Sequence, residues 1–240
     1  MTTNLRPEEV LDLDVLKRLT VIRGRLRNET PLRVGIGREG RLGSTSDITV
    51  IRTKSLWGEE VPYIPGSSLK GVFRSFVEQL ARSGGLQVHD PWDFEAMERE
   101  ERGGFCVVCA LFGSTRVASH VRIYDAFPPE GKVPTIVYKT GVGIDRDFLG
   151  AKPNILYTEE FVEPGNEWEF RMDVINVPFP DGEDPRTRYL KELLDSLKTM
   201  GLQVGARKSV GMGLVKLVGG TYEVYAVEGG SVSKVSEGTI

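Results

Sequence analysis

Hydrophobic positions along the chain change their period several times, and each change marks an element. Leu69, Val72, Phe73, Phe76, Val77 and Leu80 recur at i, i+3, i+4, i+7, i+8 and i+11. One apolar stripe of this kind predicts an amphipathic helix facing a core. Pro62 and Pro65 bias the residues before them away from the helical region, so the chain arrives extended. Ser67 or Ser68 can accept hydrogen bonds from the first free N–H groups and cap the helix. Leu190, Leu193, Leu194, Leu197 and Met200 repeat the pattern in a second helix, which follows a loop from Pro180 to Pro185 and ends at Gly201.

Strands are predicted where the period drops to two. Trp168, Phe170 and Met172 alternate with Glu167, Glu169, Arg171 and Asp173, a strand half buried on one face. Leu19, Val21, Ile22 and Leu26 predict a strand between Lys17 and Asn28, and Leu32 to Ile36 continues it after a bend. Val121 to Asp125 is a short strand with Val121 and Ile123 inward and Arg122 and Tyr124 outward. Tyr222 to Val227 closes the sheet edge. Residues up to about Asp14 read as a loose arm, and the stretch after Glu228 as a frayed tail. The order strand, loop, helix, insertion, strand, arm, strand, helix, strand fits an α+β, ferredoxin-like (RRM-like) sandwich, with two helices on one face of an antiparallel sheet.

Composition alters this picture little. A chain of 240 residues fits one medium domain with insertions. With 31 Lys+Arg against 34 Asp+Glu there is no global basic signature, so any nucleic-acid contact must come from a local patch. No apolar run approaches the roughly 20 residues of a membrane span. The first residues carry no apolar signal-peptide core, and a cytoplasmic protein is expected. Two cysteines in such a chain do not suggest a disulfide scaffold.

Candidate chemistry is local. The start of the first helix offers oriented N–H groups, Ser67, Ser68, Lys70 and Arg74, a set that suits a phosphate backbone as well as it suits a solvated helix face. Gly35, Gly37, Gly40 and Gly43 punctuate a polar loop that is not a Walker-type phosphate loop, since no Gly-Lys-Ser/Thr closes it. The loop delivers Asp47, a carboxylate between a hydroxyl cluster and a short apolar strand; it can equally open an Asx turn. Cys106 and Cys109 form a Cys-x-x-Cys pair that can supply two thiolates to a structural zinc, with His89 third and Asp90, Asp93 or His120 fourth; the alternative is two buried thiols. Lys139 to Asn154 is an irregular, glycine-rich exposed arm with Ile144, Phe148 and Leu149 at its tip, and exposed apolar residues need a partner surface. In Val204 to Leu217, glycines with Arg207, Lys208 and Ser209 can offer N–H groups and cations to phosphate, or form a hairpin with basic tips. Arg18, Arg23, Arg25, Arg27 and Arg33 decorate the first strand region as a solvated face or an RNA-facing one.

Four of these stretches, in order, resemble the RAMP superfamily, in particular the repeated backbone subunits of type III CRISPR effector complexes. They are Ile64-Pro-Gly-Ser-Ser-Leu-Lys-Gly-x-x-Arg74, Cys109-Ala-Leu-Phe-Gly-Ser114, Gly143-Ile-Asp-Arg146 with Pro164-Gly165, and the turn at Val204 to Leu217. The resemblance implies one domain over 1–240: 15–83 with the first strand, catalytic loop and signature helix; 84–120 a small insertion, zinc-binding in several family members; 138–156 a thumb arm; 157–227 the second half. It implies a subunit that lines up with copies of itself and other subunits along a guide RNA and cuts complementary target RNA. Asp47 would be catalytic, with Mg²⁺ or another divalent cation, and Ile144, Arg146 and Phe148 would meet the guide–target duplex. The family pattern Gly-x-x-Asp-x-Pro-Val-Ile is altered here: Gly43 stands one residue further from Asp47, and Thr49 occupies the proline position. The alternatives are a non-catalytic paralogue that binds or caps the guide RNA filament, a guide-processing RAMP endoribonuclease, and a sheet-based RNA-binding protein outside any complex.

Overall fold

The computed structural model describes residues 4–35 and 49–240. In chain order the elements are α1 (Pro7–Val10), β1 (Arg18–Asn28), β2 (Arg52–Lys54), β3 (Glu60–Pro62), α2 (Gly66–Ser83), α3 (Phe94–Gly103), α4 (Val107–Phe112), β4 (Val121–Ile123), β5 (Ile136–Ile144), β6 (Ala151–Val162), β7 (Glu167–Ile175), α5 (Pro185–Thr199), β8 (Leu202–Gln203), β9 (Leu214–Glu228) and β10 (Ser231–Thr239). The main sheet runs β10-β9-β1-β7-β4, with β8 added to β9. Its pairings are antiparallel, and the inner order β9-β1-β7-β4 matches an α+β, ferredoxin-like arrangement.

The period-two alternation decides which face is covered. Ile22 and Leu26 of β1, Trp168, Phe170 and Met172 of β7, and Val215 and Leu217 of β9 turn toward the helices. There they meet Leu69, Phe73 and Val77 of α2 and Leu190, Leu193 and Leu197 of α5. Phe73 stands edge-on to Phe170 at 6.1 Å between ring centres. Buried Asn28 is satisfied there, accepting from Trp168 Nε1 at 3.1 Å. Among the described residues, no helix is long and apolar enough to cross a membrane.

Four expectations need correction. The amino-terminal stretch is docked rather than loose: Leu5 exchanges backbone hydrogen bonds with Phe105 and Val10 is fully buried. Two apolar residues five apart are too sparse to show a period. Beyond Asn28, the described residues up to Gly35 make isolated bridges, Leu32 to Val162 and Gly35 to Val50, rather than a continued strand, and Ile36 lies outside the described residues. The edge beyond β9 is occupied by β10, which is the stretch expected to fray; antiparallel pairing to β9 from Ser231↔Glu228 to Thr239↔Thr221 holds it. The arm of 138–156 is a paired hairpin rather than an irregular loop, β5 against β6 from Ile136↔Val162 to Ile144↔Ala151, with a register shift between Val142 and Ile144.

Candidate nucleic-acid interface

At the start of α2 the cap comes from elsewhere. Pro65 holds the N-cap position without a side-chain cap, and Ser67 and Ser68 lie inside the first turn. The Gly66 N–H donates instead to Asp125 Oδ1 at 2.7 Å. The expected serine cap is therefore wrong, because the Pro-Gly turn puts the N-cap at Pro65 and leaves the serines two and three residues too late. Lys70 is half buried and has no partner among the described residues; burial, then the nearby Arg74 charge, hold its ammonium below the ordinary lysine value. Arg74 is engaged with the fold. It donates to Glu78 at 2.9 Å and to the Gly113 carbonyl at 2.6 Å, closing the end of α4, and lies 3.9 Å from Cys109 Sγ.

The glycine-rich turn is built against the base of the hairpin. Gly205 has φ +83°, and a Cβ there would overlap the Arg33 carbonyl oxygen, so only glycine fits. The next residue but one, Arg207, is left-handed at φ 60°. Its guanidinium reaches Glu159 of β6 at 2.7 Å and the Tyr157 hydroxyl at 2.8 Å, with Tyr157 lying under it at 5.3 Å. Glu159 also accepts from Arg33 at 2.7 Å. Burial pushes the Glu159 carboxyl upward, but the hydrogen bonds from Arg207 and Arg33 outweigh it and hold the group below its ordinary value. Its neighbour Glu160, also buried, accepts from Arg52 at 2.7 Å and from the Val50 N–H at 3.0 Å. Arg207 is thus committed to the fold, whereas Lys208 and Ser209 are exposed on a single 3₁₀ turn.

Asp47 lies outside the described residues. The flanks of that stretch come together beside Glu160: the Ile51 N–H donates to the Val34 carbonyl at 2.8 Å, and Gly35 bridges Val50. Ile144 ends β5, and Arg146 and Phe148 follow in the connecting turn, where Asp145 Oδ1 accepts from the N–H groups of Asp147 and Phe148. Phe148 is 88% exposed and Leu149 83%.

A second cluster sits where α2, α3 and α4 meet. His89 Nδ1, a Glu100 oxygen and Cys106 Sγ lie within 4.8 Å of one another. Glu100 Oε1 is 2.6 Å from His89 Nδ1 and accepts from the Cys106 N–H at 2.8 Å. The hydrogen bond from Cys109 pulls the Cys106 thiol down to about 6, and the same contact with burial pushes Cys109 up. For His89, burial opposes the charged ring, but hydrogen bonds to Cys106 and Glu100 together raise it. The expected fourth partners are elsewhere: Asp90 accepts from the Trp92 N–H, Asp93 caps α3, and His120 is fully buried against Asp12 at 3.1 Å. The carboxylate that stands beside His89 and Cys106, in a group that does not include Cys109, is Glu100. It stood unremarked in an acidic helix, where nothing separates it from Glu95 or Glu98 except its burial.

The family model of the RAMP superfamily matches residues 25–216, and the chain belongs to that superfamily. Membership points to a CRISPR-associated, RNA-binding role in a larger assembly. No curated protein matches the chain.

Proposed function

We propose that this chain is a repeated backbone subunit of a type III CRISPR ribonucleoprotein, lining a guide RNA and cleaving its complementary target. One observation carries the reading. The β5–β6 hairpin ends in unpartnered apolar side chains and is fastened at its base to the glycine-rich turn and to both flanks of residues 36–48. An apolar wedge of this kind can unstack a base step. Lys70, Lys208, Ser67 and Ser209 contact the phosphate backbone without reading bases, as a subunit accepting any guide requires. Arg74 and Arg207 position these elements from within.

Cleavage is attack of a target ribose 2′-hydroxyl on the adjacent phosphate, leaving a 2′,3′-cyclic phosphate and a 5′-hydroxyl. Asp47 would hold a divalent ion such as Mg²⁺, and the chemistry that ion would supply is stabilisation of negative charge at the phosphate. A structural zinc would be held by His89, Glu100 and Cys106, donor types that zinc takes, with Cys109, three residues further on in α4, as the candidate fourth ligand. Among the described residues Glu100 Oε2 is buried without a partner, as an absent ligand bond would leave it. The guide-processing alternative is disfavoured because both histidines are committed, His89 to Glu100 and His120 to Asp12. The test is cleavage of guide-complementary RNA by the assembled complex. Chelator-sensitive cutting by wild type and none by Asp47→Ala supports the reading. Equal cutting by both would end it, and binding without cutting by either leaves the non-catalytic paralogue.

A further inference from the structure

On the sheet face away from α2 and α5, Arg23, Arg25 and Arg27 alternate along β1, all exposed. Each touches one carboxylate: Arg23 meets Glu223 at 2.8 Å, Arg25 meets Glu167 at 3.3 Å and Arg27 meets Glu29 at 2.8 Å. Such exposed pairs are weak, and each guanidinium keeps donors to spare.

A groove of about 630 Å³ runs beside these arginines, floored by Gly24, Gly219 and Gly220. The floor exists because β9 carries a bulge where the register against β1 shifts between Arg25 and Leu26. Gly24 is required there, since a Cβ would overlap the Gly219 carbonyl oxygen. Gly219 has no such reason. Its φ is not positive, and a Cβ on it would meet nothing within 4 Å. A bare position that the fold does not demand suits the close approach of a ligand.

A second cavity of about 400 Å³ shares Arg23, Gly24 and Arg25 and extends to Tyr124, Asp125 and Arg171. Asp125 is the carboxylate that caps α2, so the two cavities together lead from the bulge to the signature-helix start.

We propose that this face is a second RNA site, in which Arg23, Arg25 and Arg27 grip consecutive phosphates of a single strand. Alternate residues of a strand stand roughly 6.7 Å apart, close to the repeat of one nucleotide in an extended chain. The planar guanidinium takes phosphate oxygens in pairs. Tyr124, its hydroxyl tied to Asp173 at 2.8 Å, stands at the far end as a platform for one base. The site extends the RNA-binding reading above but is independent of cleavage and of the zinc cluster.

The experiment uses the full chain, a labelled single-stranded RNA of mixed sequence, and titrations at several salt concentrations. Arg23→Ala, Arg25→Ala and Arg27→Ala are measured singly and together, beside Gly219→Val, which fills the floor without altering charge. A Lys70→Ala, Lys208→Ala double variant probes the other interface. Each single arginine substitution is expected to lower the salt slope by about 0.7 and the triple by about two, the values for a single strand. Gly219→Val is expected to weaken binding several-fold with an unchanged slope and melting temperature. Unchanged affinity and slope in the triple variant, with the lysine double variant impaired, overturns the groove alone. Failure of wild type to bind RNA overturns both readings. A polyglutamate peptide that binds wild type, binds the triple variant poorly and leaves RNA bound to wild type would make the groove an acidic-peptide site and overturn the proposal.

Discussion

Arg207 and Glu159 meet at 2.7 Å across the junction between the glycine-rich turn and the hairpin, and Glu159 is 4% exposed. The same carboxylate holds Arg33, whose side chain is almost as deeply buried. The two arginines are therefore not equivalent. Removing Glu159 strands a buried guanidinium, whereas removing Arg207 leaves the Arg33 pair intact.

Glu159→Ala is expected to cost about 3–5 kcal/mol, the penalty for an uncompensated buried charge. Arg207→Ala should cost about 1 kcal/mol or less, because that side chain is more than a third exposed and solvent screens it. Urea unfolding of both variants measures the difference. Hydrogen exchange across residues 136–162 would show the hairpin base opening in Glu159→Ala first.

How much of this was legible in sequence depends on range. The stripes of α2 and α5 and the alternation of β7 are local patterns, and the structure has them where the periods put them, save that Met200, expected in the α5 stripe, caps the helix and is exposed. The RAMP motifs carried the family because their Pro, Gly and Lys positions are ordered within short strings. The partners are another matter. Asp125 caps a glycine 59 positions away, and Glu159 meets Arg33 from 126 away. No periodicity reports a side-chain pairing across such a separation. Arg74 and Arg207 looked free for the same reason, since a cation's commitment shows only once its carboxylate or carbonyl is in place.

The two histidines make opposite pH predictions for the metal-free protein. Burial holds His120 below its ordinary value of 6.5, so the unfolded chain binds the extra proton and stability falls as pH drops below about 6.5. His89 is raised, so its contribution is fully present below 6.5 and is lost as pH rises through its folded value. Between about pH 8 and 5, His120→Gln should flatten the decline in melting temperature below 6.5, whereas His89→Gln should remove the gain that wild type shows as pH falls toward 6.5 and leave the slope below it unchanged. Melting curves across that range decide both signs.

If zinc fills the second cluster, its loss should act on folding rather than on RNA contacts. Elemental analysis is expected to find about one zinc per chain, falling in Cys106→Ser, Cys109→Ser and Glu100→Gln. Chelation should lower the melting temperature by several degrees, at about 2–4 °C per kcal/mol for a chain of this size. Asp90→Ala and Asp93→Ala should retain the metal, because those carboxylates face backbone N–H groups.

Gly205→Ala tests whether the turn needs its left-handed backbone. The new methyl would collide with the Arg33 carbonyl, and alanine is strained at φ +83°. A loss of about 2 kcal/mol or more is expected in urea unfolding. Gly211→Ala, at φ +81° but facing open space, should lose only the backbone component, about 1 kcal/mol.

The hairpin separates stability from function most sharply. At its base Phe161 is 1% exposed, and Phe161→Ala should cost about 3–5 kcal/mol. At its tip Phe148 and Leu149 contribute almost nothing to the fold, so Phe148→Ala and Leu149→Ala should unfold within about 0.5 kcal/mol of wild type. Their effect should appear only on nucleic acid. A wedge that unstacks a base step raises the fluorescence of 2-aminopurine placed in a target strand paired to the guide. The assembled complex should show that increase with wild type and lose it with Phe148→Ala. An increase that survives both tip substitutions would mean that the exposed apolar side chains serve a protein partner instead.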